Sequence, residues 1–88
     1  MAIDWKSEVG LAVCRERLGQ GLSQETLAEL CGLSRNYISQ IETGVAPLSL
    51  SAFIAIAVAM RRMPSELMEV AEEGMDMDYI EQQSVVLT

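Results

Sequence analysis

Several residue types are scarce or missing in this 88-residue chain. It has no histidine, two cysteines, two prolines, one tryptophan, two tyrosines and one phenylalanine. Without histidine there is no His-based catalytic triad, and the commonest transition-metal ligand is missing. Cys14 and Cys31 fall on separate predicted helices and read as reduced core residues; with no third thiol they make a poor metal site. Strand-like alternation is scarce, and the two prolines, Pro47 and Pro64, leave long uninterrupted segments, so an all-α fold is expected. The start, "MAIDWKSE", lacks the basic residues and apolar run of a secretion signal. The longest apolar stretch, Leu48 to Met60, contains Ser49 and Ser51 and is too short to span a bilayer. A soluble protein in the cytoplasm is therefore expected, with no membrane partner. Basic residues are also few: 6 against 13 acidic, a formal net charge of −7.

What is present is a core. Hydrophobic residues make up 50% of the chain, enough for one small packed domain and too many for disorder. The acidity is unevenly placed. Up to Arg62, the basic residues (Lys6, Arg15, Arg17, Arg35, Arg61, Arg62) are balanced one for one by Asp4, Glu8, Glu16, Glu25, Glu29 and Glu42. The whole excess lies beyond, in Glu66, Glu69, Glu72, Glu73, Asp76, Asp78 and Glu81. It opposes binding to an anion only if that segment lies near the binding face.

Capping and periodicity predict five helices. The first runs from about Asp4 to Leu18, with Asp4 as cap, Trp5, Val9 and Val13 facing inward, and "GQG" at its end. Ser23 caps a second, about Gln24 to Cys31, with Leu27, Ala28, Leu30 and Cys31 as its apolar stripe and Gly32 as its stop. Ser34 caps a third, about Arg35 to Thr43, ended by Gly44. Ser49 caps a fourth, about Leu50 to Met60. Pro64 opens a fifth, which Gly74 closes; its inner face is expected to hold Met63, Leu67, Met68, Val70 and Ala71. This organisation gives a domain over residues 1–74 and a short extension over 75–88, expected to be helical at "MDMDYIEQQ", with "SVVLT" as a strand or a frayed end.

Helices two and three, joined by a short turn containing a glycine, have the geometry of a helix–turn–helix over residues 24–43. Leu27, Leu30, Leu33, Ile38 and Ile41 are spaced to meet in one core, and Ala28 is small enough for the helices to cross closely. The remaining positions of helix three, Arg35, Asn36, Ser39, Gln40 and Thr43, form one continuous face. Arginine pairs with guanine edges, and asparagine and glutamine with adenine edges. A merely solvated face would more often carry Glu and Lys, and the one Glu, Glu42, falls off this face.

The stretch "GLSQETLAELCGLSRNYISQIETG" resembles the Cro/repressor-type helix–turn–helix family, also called the XRE family or lambda-repressor-like fold. The similarity continues through "PLSLSAFIAIAVAM" and covers roughly Val9 to Met68. It implies a compact five-helix DNA-binding domain that reads double-stranded DNA, as a homodimer on an inverted repeat, with helix three in the major groove. Residue by residue, it implies that Arg35, Asn36 and Gln40 contact bases, with Ser39 as a further candidate. Gln24, Ser34, Tyr37 and Thr43 match positions that touch backbone phosphate. Arg17 and Glu42 match a buried ion pair tying helix one to the end of helix three.

Three departures stand out. The loop "VAPLS" lacks the Lys or Arg that family members often direct at phosphate, so weak non-specific binding is expected. Helix four is apolar nearly all round, which predicts cover on its outer face, near Ala55 and Val58, from a second subunit or the C-terminal segment. Beyond Gly74, Tyr79, Ile80, Val85, Val86 and Leu87 form a second apolar group, the other candidate for a dimer contact. The function expected is a sequence-specific transcriptional regulator with no cofactor, no metal and no small-molecule ligand. The alternative is a protein-interaction module, such as an antirepressor or antitoxin, that kept the fold with little DNA binding. No acid–base pair or nucleophile–base set suggests an enzyme.

Overall fold

The computed structural model describes residues 4–75. These form five α-helices and, among the described residues, no strand: α1 (Trp5–Gly19), α2 (Gln24–Cys31), α3 (Arg35–Glu42), α4 (Leu50–Ala59) and α5 (Pro64–Glu72). Tyr79, Ile80, Val85, Val86 and Leu87, and with them the expected helix in the C-terminal extension, lie outside the described residues.

Local chemistry sets the helix starts. Asp4 accepts the Lys6 N–H at 3.1 Å, and Ser23, Ser34 and Ser49 accept the N–H groups of Thr26, Tyr37 and Ala52 at 3.0–3.1 Å. Each such cap satisfies an otherwise orphaned donor and contributes about 1 kcal/mol. At the start of α5, Glu66 reaches back to the Met63 N–H at 2.9 Å, with Pro64 in the first turn. Gly32 ends α2 at φ 72°, which turns the chain directly into the Ser34 cap.

α1 packs on α3 and α5, α2 on α3 and α4, and α4 on α5. The centre is formed by Val13, Leu27, Ile38, Ile41, Ile56, Met60 and Leu67, all essentially without solvent contact. Gly10 lies where α1 crosses the end of α3. A Cβ there would sit 2.0 Å from the Ile41 carbonyl oxygen, so the two backbones touch.

Three apolar side chains depart from their expected positions. Leu30 is 58% exposed, because α2 buries the stripe of Leu27 and Ala28 and Leu30 falls on the other side of Leu27 from Ala28. Met63 is 64% exposed: it is the extended N-cap of α5, not a member of its inner face. Trp5, in the first turn of α1, is 39% exposed and borders an open groove with Val9, Leu48, Leu50, Phe53 and Met68. On α4 the inner face is Ala52, Phe53, Ile56 and Ala57; Ala55 is half-buried, and Val58 stands 63% exposed. No helix among the described residues is long and apolar enough to cross a membrane.

Candidate nucleic-acid interface

α3 is held by its buried residues Ile38 and Ile41, which leaves the opposite face outward. On that face Arg35, Asn36 and Thr43 are exposed and Ser39 and Gln40 half-buried. The side chains of Asn36 and Gln40 make no hydrogen bond among the described residues, so their amide groups remain available. The Gln40 backbone carbonyl is committed: it accepts the N–H groups of Val45 and Ala46 at 2.9 and 3.2 Å, folding the following loop over the helix end. Val45 projects from that loop into solvent, and no residue of the loop is basic.

The expected phosphate-contacting residues are only partly free. Ser34 accepts the Tyr37 N–H as a cap and keeps its hydroxyl proton to donate. The Tyr37 hydroxyl donates to the Pro47 carbonyl at 3.3 Å, which ties α3 to the loop before α4. Thr43 donates its hydroxyl to the Ser39 carbonyl at 2.9 Å, so binding a phosphate means giving up that bond. Gln24, at the first turn of α2, donates from Nε2 to Glu42 Oε1 at 3.0 Å and retains one further N–H and its carbonyl oxygen.

Behind the face lies the polar anchor. Arg17 Nε and Nη2 donate to Glu42 Oε2 and Oε1 at 2.7 and 2.9 Å, a bidentate pair with side chains 10% and 4% exposed. Arg17 Nη1 donates to the Leu22 carbonyl at 2.8 Å, and Nη2 lies 3.8 Å from Cys14 Sγ. One buried carboxylate thus joins α1, the start of α2 and the end of α3. Burial pushes the Glu42 carboxyl upward, but the hydrogen bonds from Arg17 and Gln24 outweigh it and hold the group below its ordinary range. Arg17 is raised by its hydrogen bond to Glu42. The Cys14 thiol is pushed up by burial and by the Glu42 charge beside it, which disfavours a reactive thiolate.

Arg35 has a charged neighbour. Its Nε lies 2.9 Å from Oε1 of Glu25, in the first turn of α2, with the two side chains 60% and 66% exposed. Sequence reasoning assigned nothing to Glu25, and it passed over Gly10 as well. Glu25 stands next to Gln24 in the chain, but its closeness to Arg35 depends on the angle between α2 and α3. Gly10, a helix-breaking type in the middle of α1, was the one visible hint of a close backbone crossing.

A short helix capped by serine, crossing a second at a left-handed glycine and showing a hydrogen-bonding face to solvent, defines a helix–turn–helix domain. The family model "Helix-turn-helix" (HTH_3) matches residues 15–67, and the chain belongs to that family. Among solved structures, it is similar to the restriction–modification controller protein C.AhdI from Aeromonas hydrophila: 39% identity over 70% of this chain and 94% of that one, TM-score 0.69. It is also similar to the controller protein C.Esp1396I, solved as a tetramer with its natural 35 base-pair operator: 27% identity, 81% and 93% of the two chains, TM-score 0.75. The clp gene regulator ClgR from Corynebacterium glutamicum shares the fold over 99% of this chain and 93% of its own, at 18% identity and TM-score 0.82. No curated protein matches.

Proposed function

We infer that the chain is a sequence-specific DNA-binding transcription regulator, which sets α3 in the major groove and binds as a homodimer. The observation that carries this reading is the outward face of α3. Arg35, Asn36 and Gln40 lie outside the buried face of α3, and their side chains suit paired hydrogen bonds to base edges. Family membership supports it, as does the likeness to C.Esp1396I, a controller protein solved on its operator. In this reading Gln24, with one N–H held by Glu42, and the Ser34 hydroxyl fix the domain on the phosphate backbone, while Tyr37 and Thr43 are secondary contacts. Arg17 and Glu42 act structurally, by holding the register between α3 and the other two helices.

A homodimer supplies the two-fold symmetry that an inverted repeat requires. Val58, exposed on α4, with half-buried Ala55 beside it, is the described part of the surface assigned to that contact. Val58→Asp should shift the protein toward monomer in sedimentation velocity; an unchanged dimer would move the interface elsewhere.

The deciding experiment is selection from random duplexes by the purified protein. Enrichment of an inverted repeat is the expected result. A folded dimer that enriches nothing would favour the protein-interaction alternative, which draws on the net charge of −7 and the uncharged loop.

A further inference from the structure

We propose that Glu25 is a specificity-determining residue that confines Arg35 to base reading by holding its guanidinium away from phosphate. The proposal rests on the DNA-binding reading above and adds to it a residue with no other evident purpose. Glu25 and Arg35 are both more than half exposed, and an ion pair at such a site contributes little to folding. The placement matters more than the stability. Arg35 is the one basic side chain on the α3 face, and its partner is a carboxylate from the neighbouring helix, 2.9 Å from Nε. No hydrogen bond among the described residues uses the terminal nitrogens of Arg35, which leaves the end of the guanidinium fork for O6 and N7 of a guanine.

Two consequences follow from the charges. A free arginine at this position would bind any phosphate within reach, adding affinity without sequence information. To do so here, Arg35 would have to leave Glu25, and the bared carboxylate would face the polyanion. Facing a guanine, Arg35 keeps its charge beside the Glu25 carboxylate while its terminal nitrogens pair with the base. Glu25 thereby lowers binding to non-cognate DNA more than to cognate DNA, a repulsive device for selectivity. The loop at Val45 and Ala46 points the same way, since it too lacks a basic phosphate contact.

The test uses the full chain and its Glu25→Ala, Glu25→Gln, Arg35→Ala and double Glu25→Ala/Arg35→Ala variants. Each is titrated against the duplex selected by the wild type, against that duplex with each base pair changed in turn, and against random duplex across salt concentrations. Glu25→Ala should keep the wild-type Tm to within a few degrees. It should bind random duplex more tightly, with a log–log salt slope steeper by about 0.9, the signature of one new phosphate contact. Its discrimination should fall about tenfold at the guanine that Arg35→Ala also stops reading, and at no other position. Glu25→Gln should fall between. In the Arg35→Ala background, Glu25→Ala should change that discrimination no further. Unchanged discrimination and salt slope in Glu25→Ala, or effects that add in the double variant, would overturn the proposal while leaving the regulator reading intact. A wild type that selects no sequence would overturn both.

Discussion

Replacing Arg17 by Met leaves the Glu42 carboxylate in its buried site with only neutral partners, Gln24 Nε2 at 3.0 Å and the Cys14 thiol. The variant loses two charge-assisted hydrogen bonds to Glu42 and orphans the Leu22 carbonyl. Breaking a buried pair in this way typically costs about 3–5 kcal/mol. An independent ceiling comes from protonation. At pH 7 the stranded carboxylate can escape by taking a proton, and carrying a group with an ordinary pKa of about 4.3 to that state costs about 3.7 kcal/mol, at about 1.36 kcal/mol per pH unit. A domain of this size has about 5–15 kcal/mol in total, so the loss is a large fraction of its stability. The pH dependence carries the sharper signature. In the wild type the folded Glu42 pKa lies below its unfolded value, so its contribution is full above the unfolded pKa and is lost as pH falls through the folded one. In Arg17→Met, burial without the guanidinium should carry the folded pKa above the unfolded value, so the sign should reverse. As pH falls from 7 toward about 4.5, the variant should regain stability relative to wild type. Urea denaturation followed by far-ultraviolet circular dichroism, at half-unit pH steps, measures the difference directly. Arg17→Met/Glu42→Leu removes both charges and should recover most of the loss. A single variant within about 1 kcal/mol of wild type at pH 7, or a gap that widens on acidification, would refute the reasoning.

Three other outcomes are expected. Arg61→Gly should stabilise the domain by about 0.5–1 kcal/mol in thermal denaturation, because Arg61 holds φ 57° at the end of α4, where an L side chain is strained and glycine is not. Gly10→Ala should destabilise it by about 2–3 kcal/mol, since the new methyl would collide with the Ile41 carbonyl and push α1 off α3; its DNA affinity should fall too. Val45→Lys, in the exposed loop after α3, should strengthen binding to random duplex and steepen its salt slope by about 0.9, leaving base discrimination unchanged.

Much of the fold was legible because short-range chemistry set it. Asp4, Ser23, Ser34 and Ser49 cap the helices they were expected to cap, and Gly32 takes the left-handed turn between α2 and α3. Those features depend on a residue and its neighbours three or four positions away, and the sequence displays that spacing. The polar face of α3 was legible for the same reason, with Ile38 and Ile41 marking its opposite side. Inward faces were less secure wherever apolar residues surround a helix. Leu30, Met63 and Trp5 are each apolar and each substantially exposed, because hydrophobicity alone does not say which of several apolar sides a neighbouring helix will cover.

The sequence by itself determined five short helices, the turn between the second and third, and the hydrogen-bonding residue types on the outward face of α3. Local capping and helical periodicity need no tertiary information. Only the tertiary structure decided what those residues touch. It placed Gln24 on Glu42, set Gly10 against the Ile41 carbonyl, and brought Glu25 beside Arg35. These contacts depend on the angle and separation at which helices cross, which the packing of the whole core fixes and no local pattern encodes.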